Sequence, residues 1–217
     1  MSCGTYASIM QTPTTSTGEL PLDISASRIR YLFELDISNN KHIGGFPKMC
    51  FSSTTTNSHS SFQKISAPHV PFISLLPTTS SAVPFQEVSA VPRNLLEVLF
   101  LNNELEGCLP YEIGKLNKAV VFDVGGNKLT GPIPHSFACL EKMDSLNLAV
   151  NEFYGPVPEM VCDLPRLTNL SLSHNYFTQV GPQCMKLIKK KTLDVRMNCI
   201  LGLPGQRSAA ECANILL

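Results

Sequence analysis

The chain has 217 residues, with 17 Lys and Arg against 17 Asp and Glu, and is formally neutral at pH 7. No overall field draws it toward nucleic acid or an anionic membrane, so partners have to be sought in local patches. Its apolar content of 43% suits a packed core, yet no apolar run approaches the roughly 20 residues that a membrane-spanning helix requires.

Residues 1–17, MSCGTYASIMQTPTTST, have no cationic start followed by an apolar stretch and do not read as a signal peptide. This segment is expected to be disordered. Residues 18–47 carry fragments of a pattern that recurs in full further on. Gly18, Leu20, Pro21 and Ile24 look like the tail of one unit, and Leu32, Leu35, Ile37, Asn40, Gly44, Phe46 and Pro47 make the next. His42 stands at an inward apolar position of that unit. It reads as an exposed or hydrogen-bonded histidine in a frayed edge coil, in preference to a ligand.

From 48 to 92 the pattern disappears into a Ser/Thr/Pro-rich stretch expected to form an irregular loop. The interval from Asn40 to Asn103 is 63, which is not a multiple of the 24-residue period that follows. Two or three units should stand there. With a half-unit at the start and no signal peptide, the expectation is a chain truncated or misjoined on its N-terminal side, with a weakened junction between units 32–47 and 95–110.

Residues 93–198 hold the strongest signal. Asn103, Asn127, Asn151 and Asn175 recur at intervals of 24, in VLFLNNELEGCLP, VFDVGGNKLTGPIP, LNLAVNEFYGPVP and LSLSHNYFTQVGP. A fixed period of this length with this spacing is the signature of a leucine-rich repeat solenoid. Each unit is too short to bury its own apolar side chains, so Val98 and Phe100, Phe122 and Val124, Leu146 and Leu148, and Leu170 and Leu172 must stack inward between coils. Their alternation predicts one strand per coil and a parallel concave sheet. The asparagines sit where the coil leaves that sheet, and their amides can satisfy backbone groups otherwise buried unpaired. Leu105, Leu129, Phe153 and Phe177 fill the interior from the opposite side. The last full copy departs from the frame, with Gln179 at the glycine position and Gly181 at an apolar one.

Residues 199–217 read as a C-terminal cap. An exposed terminal coil must be covered, and Cys199 with Cys212 would staple a short cap over it. Cys162 and Cys184 differ by 22 positions, about one coil, which makes them the best inter-coil pair. Cys108 and Cys139 are left either paired or free, and Cys3 and Cys50 fall in unpatterned segments. There is no CxxC and no His-rich cluster at ligand spacing, so no metal or other cofactor is expected. Disulfides need an oxidising compartment; reduced core cysteines in a cytosolic protein are the alternative. Asn169-Leu170-Ser171 is a sequon, which makes Asn169 a glycosylation candidate.

The Gly-x-(Ile/Leu/Val)-Pro tails GCLP, GPIP and GPVP resemble the plant-specific class of leucine-rich repeats. The stretch CLPYEIGKLNKAVVFDVGGNKLTGPIP, the VCDLPRL motif, the cysteine after GPQ and the NC…LPGQRS…C cap look like the repeat domain of plant leucine-rich repeat extensins and their extensin-free relatives. The implied fold is an α/β leucine-rich repeat solenoid of plant-specific 24-residue repeats, with a parallel concave β-sheet and a disulfide-stapled C-terminal cap. The resemblance also implies an extracellular, cell-wall location, possible contact with cell-wall polymers, and binding of secreted basic rapid alkalinization factor-type peptides. Asp123 stands in the FDV position typical of that family.

The candidate binding residues project from the concave face between the inward ones. Glu97 and Asp123, with Glu34 and Asp36, make its N-terminal half acidic. Leu99 and Leu101 add apolar contact, and Asn147 and Ser171 belong to a neutral polar C-terminal half. A basic peptide or protein ligand fits such a surface; an ordinary solvated face is the plain alternative. No nucleophile elbow, HExxH or P-loop is present, and a shallow sheet offers Glu97 and Asp123 no desolvating cleft for carboxylate catalysis. A non-enzymatic recognition module is therefore expected. A polygalacturonase-inhibitor-like defence protein and a non-functional fragment are the other readings.

Overall fold

The computed structural model describes residues 7–10, 17–19, 32–45 and 94–213. The chain divides into two compact units, Met1–Phe51 with Ala90–Leu217 and Ser52–Ser89, and the described residues all belong to the first. The loop expected at 48–92, the positions Leu20, Pro21, Ile24, Phe46 and Pro47, and Cys3 and Cys50 lie outside the described residues.

Two parallel sheets run through the unit. The first has seven strands in chain order, Ala7–Met10, Leu32–Asp36, Glu97–Leu99, Val121–Asp123, Ser145–Asn147, Asn169–Ser171 and Leu193–Asp194. Alternation decides its faces: Val98, Phe122, Leu146 and Leu170 are fully buried while their strand neighbours are half-exposed or exposed. Phe100, Val124, Leu148 and Leu172 follow inward, and Leu105, Leu129, Phe153 and Phe177 close the core from behind, all with no exposed surface. Ala7–Met10 pairs with Leu32–Asp36, so the segment 1–17, expected to be disordered, contributes a strand. An edge of unpaired N–H and C=O groups on the next coil can recruit even a weakly patterned stretch.

The second sheet was not expected from the sequence. It has six strands, Thr17–Glu19, Lys41–Gly45, Glu104–Cys108, Lys128–Gly131, Glu152–Pro156 and Tyr176–Gln179. Its regularity depends on the glycine of each Gly-x-x-Pro tail, which takes a left-handed φ of 90° at Gly44, 79° at Gly107, 87° at Gly131 and 83° at Gly155. That conformation is open to glycine and strained for side-chain-bearing residues. The copy with Gln179 in this place has no left-handed turn there, and the register slips between Gly155↔Phe177 and Pro156↔Gln179.

After the first three tails Pro110, Pro134 and Pro158 lie in extended backbone and lead into a helical turn, Tyr111–Lys115 and His135–Cys139 as 3-10 turns and α1 (Glu159–Cys162) as a helix; in the fourth the extended residue is Gly181 and Pro182 opens α2 (Pro182–Lys189). Ile113, Phe137, Val161 and Cys184 point inward from these turns.

The asparagines form a continuous ladder. In the third of these coils, Asn151 Nδ2 donates to the carbonyls of Leu148 and Ala149 and, one coil back, of Val124, at 3.3, 3.1 and 3.0 Å. Its Oδ1 accepts the Leu129 N–H at 3.0 Å. Asn103, Asn127, Asn175 and Asn198 repeat the arrangement. The residue ahead of each ladder asparagine is left-handed, including Asn39, Asn102, Gly126, Val150, His174 and Met197.

The junction after residue 45 is not weakened. Leu35 pairs with Val98 and Gly44 with Leu105, and Asn103 Nδ2 donates to the Ile37 carbonyl at 3.0 Å. Coil 32–45 thus stacks directly on the coil that begins at 94, with no intervening unit between them. His42 is buried, its Nδ1 lying 3.4 Å from the Gly18 carbonyl.

At the C-terminal end two disulfides close, Cys162–Cys184 with a Cα separation of 5.0 Å and Cys199–Cys212 with 5.8 Å. The cap is completed by α3 (Ala209–Ala213). It is tied to the last coils through Arg207, whose Nε donates to the Asn175 carbonyl at 2.9 Å and whose guanidinium lies 4.3 Å from the centre of the Tyr176 ring. Cys108 and Cys139 are free, exposed thiols.

Candidate recognition face

The outward side chains of the first sheet fall into rows because the coils share one register. Glu34, Glu97, Val121, Ser145 and Asn169 are successive neighbours in one row. Asp36, Leu99, Asp123, Asn147, Ser171 and Asp194 form the next. A third, aligned by backbone bonds past the strand ends, holds Leu101, Gly125, Ala149, Ser173 and Arg196. Of this third row Gly125, Ala149 and Ser173 are buried, so over the middle coils the accessible face is two rows wide.

The predicted binding residues Glu97, Leu99, Leu101, Asp123, Asn147 and Ser171 are all on this face and all half-buried, and the glycosylation candidate Asn169, on the same face, is exposed. They do not form one cluster. Glu97 sits beside Glu34, while Leu99 lies between Asp36 and Asp123. Four carboxylates therefore surround an apolar spot on three adjacent strands. Asn147 Nδ2 donates to Asp123 Oδ1 at 3.0 Å, and the same oxygen accepts the Gly125 N–H at 2.9 Å. Asn147 Oδ1 in turn accepts the Ala149 N–H at 3.0 Å. Asp123 and Asn147 thus spend half of their hydrogen-bonding capacity on the turn at the strand end, whereas Glu97 is not so engaged. Asn169 Nδ2 lies 3.4 Å from Ser145 Oγ.

At the far end of the row Asp194 is gripped by Arg196, through Nε at 2.9 Å and Nη2 at 2.7 Å. The guanidinium holds the Asp194 carboxyl below its usual range, and the Arg196 pKa rises in return. This end of the face is neutral by pairing.

Features invisible to the repeat pattern lie behind the face. Pockets of about 720 and 590 Å³ flank Leu201. Their walls come from the second sheet, α2 and the cap, which only the fold brings together; no spacing in the sequence announces them. Among the described residues no group of three His, Cys, Asp or Glu side chains could hold a metal ion, and no helix is long and apolar enough to cross a membrane.

The Leucine Rich Repeat family description matches residues 119–140 and 166–187, two coils whose inward residues and ladder asparagines lie as described above. The fold is a leucine-rich repeat. Among solved structures, the chain is similar to the Arabidopsis receptor kinase HAESA in complex with the peptide hormone IDA and the co-receptor SERK1, at 21% identity and a TM-score of 0.65, over 92% of this chain and 30% of that one. It is similar to the plant peptide hormone receptor RGFR1 in complex with RGF2, at 23% identity and a TM-score of 0.60, over 84% of this chain and 23% of that one. A plant ice-binding protein is also similar, at 21% identity and a TM-score of 0.60, over 89% of this chain and 49% of that one. The leucine-rich repeat chain thus spans less than a third of the length of either receptor, and the likeness at these identities is one of fold. No curated protein matches the sequence.

Proposed function

We propose that the chain is a non-enzymatic extracellular recognition module whose first-sheet face binds a basic peptide or protein. The reading rests on one observation: the register gathers Glu34, Asp36, Glu97 and Asp123 around the half-buried Leu99 on three adjacent strands. A cationic peptide laid across them gains charge pairing and apolar contact together. Two disulfides at the C-terminal end favour an oxidising compartment, and peptide hormones are bound by the receptors HAESA and RGFR1, whose fold is similar. The finer assignment, a cell-wall protein of the extensin-like class taking a rapid alkalinization factor-type peptide, rests on the sequence resemblance.

The inhibitor reading would need a basic face. Among the described residues of the three rows the cation is Arg196, and Asp194 neutralises it. Titration calorimetry with an Arg/Lys-rich peptide tests the proposal. Glu97→Lys reverses a charge that the fold does not use and should weaken binding about tenfold, the effect of roughly 1.4 kcal/mol. Equal affinity of wild type and variant, or capture of a fungal polygalacturonase in place of the peptide, would overturn it.

A further inference from the structure

The first sheet ends on an open edge. Its last strand, Leu193–Asp194, pairs with Asn169–Ser171 on one side and, among the described residues, with no strand on the other. One coil earlier the N–H groups of Leu170, Leu172 and His174 donate forward to the carbonyls of Thr192, Asp194 and Arg196, each at 2.9 Å. The register Leu170↔Leu193 makes Leu193, Val195 and Met197 the corresponding residues of the last coil.

The C-terminal cap covers only part of this edge. The Met197 N–H donates to the Gly205 carbonyl at 2.7 Å, and Gln206 Nε2 donates to the Val195 carbonyl at 3.1 Å. No described residue accepts the Val195 N–H, although Val195 is only 5% exposed. Buried backbone donors are almost always paired, and an unpaired strand edge is a template for one more strand.

A groove of about 470 Å³ opens against the edge. Leu193 and Val195 line it from the strand, Ile188 from α2, and Leu203 and Pro204 from the cap. Lys191 completes the lining from the turn between α2 and the strand. That turn is fixed, because the Lys191 N–H donates to the Ile188 carbonyl and the Thr192 N–H to the Leu187 carbonyl, both at 3.0 Å.

The rim is cationic. Between Lys186 and Cys212 the chain carries Lys186, Lys189, Lys190, Lys191, Arg196 and Arg207 against Asp194 and Glu211. Both carboxylates are engaged, Asp194 by Arg196 at 2.7 Å and Glu211 by the hydroxyl and N–H of Ser208 at 2.7 and 2.9 Å. Lys189, Lys190 and Lys191 are exposed and make no ion pair or side-chain hydrogen bond among the described residues.

We propose that this edge binds an extended peptide segment in which apolar residues alternate with Asp or Glu, added to the first sheet as a further strand. The pleat sends alternate side chains to opposite faces, so the apolar ones enter the groove and the acidic ones stay at its rim, where Lys191 stands. Backbone pairing supplies affinity, and the alternate side chains select the partner. The acidic cluster around Leu99 repels such a segment, so the two surfaces take ligands of opposite charge and this inference is independent of the basic-peptide reading.

The test uses the whole isotope-labelled chain and an end-blocked peptide of alternating aspartate and valine, with lysine replacing aspartate in the control peptide. Saturating peptide should slow hydrogen exchange of the Val195 amide by about tenfold or more, the mark of a newly paired donor. Contact through charge alone would leave that amide unchanged. The double variant Lys190→Glu/Lys191→Glu should weaken binding about tenfold, with an unchanged melting temperature because both side chains are exposed. Lys142→Glu, the same reversal on another coil, should change affinity less than about twofold. Absence of binding, binding without protection of Val195, or equal affinity for the lysine peptide would overturn the proposal. So would a Val195 amide already protected by self-association, seen as sedimentation that depends on protein concentration.

Discussion

Oε2 of Glu159, at the start of α1, accepts the Gln183 N–H at 3.1 Å and so caps α2 one coil further on. The residue before α2 is Gly181, which has no side chain to do so. A Cβ at Gly181 would collide with Glu159 Oε1, so the glycine at a normally apolar position keeps the cap in place. Gly181→Ala should push the carboxylate aside and destabilise the protein by about 1 kcal/mol, the usual effect of losing an N-cap. Urea unfolding checks it; Glu159→Gln, which keeps an acceptor, should lose less.

Val150 has φ 56° and is 53% exposed. A β-branched residue in the left-handed region is strained by about 1–2 kcal/mol, and no burial offsets it. Gly126, Asn102 and Asn39 stand in the same place on other coils. Val150→Asn should therefore raise stability by about 1 kcal/mol, read as a higher unfolding midpoint with unchanged slope.

Asn151 satisfies groups on two coils, and Asn151→Leu would leave the Leu129 N–H buried without a partner and strip one of its two amide donors from the Val124 carbonyl, which keeps the bond from Asn127 Nδ2. The expected loss is about 1–3 kcal/mol, the cost of one orphaned buried group. A mutation at the exposed Glu152 should cost little by comparison, and equal effects at the two positions would contradict the ladder's role.

Lys128 donates to Glu104 at 2.9 Å across two strands of the second sheet. That bond, and then the charge of Lys128, lowers the Glu104 pKa from its ordinary 4.5, and the Lys128 pKa rises. A carboxylate depressed on folding adds stability that is present above its unfolded value and lost as pH falls through the folded one. Wild type should exceed Glu104→Gln at neutral pH, and the gap should close in acid below pH 4.5, measured by urea unfolding. The pair is exposed, so the gap is small and shrinks further in salt.

Much of the core was legible because it is periodic. Leu146 and Leu170 alternate with polar neighbours and repeat with the ladder asparagines, so their inward direction follows from spacing alone. The second sheet was not legible: between Glu104 and Cys108 only Leu105 is buried, and the strand exists because its neighbours impose extended pairing. The candidate face was read as a list of outward residues, but whether Asp123 is free or bonded to Asn147 depends on a cross-coil distance that no single coil encodes. Lys118, Lys142 and Arg166 are evenly spaced in the sequence yet fall outside the repeat consensus, which describes what packs and is silent about what projects.

Asn102 donates to Asn39 at 2.9 Å across 63 residues, whereas other neighbouring coils meet across 24. Lengthening a connection by that ratio adds only roughly 1 kcal/mol of closure entropy. Stacking is thus indifferent to contour length, and the seam between residues 45 and 94 is a place where such a scaffold can accept inserted cargo without losing the phase of the coils on either side.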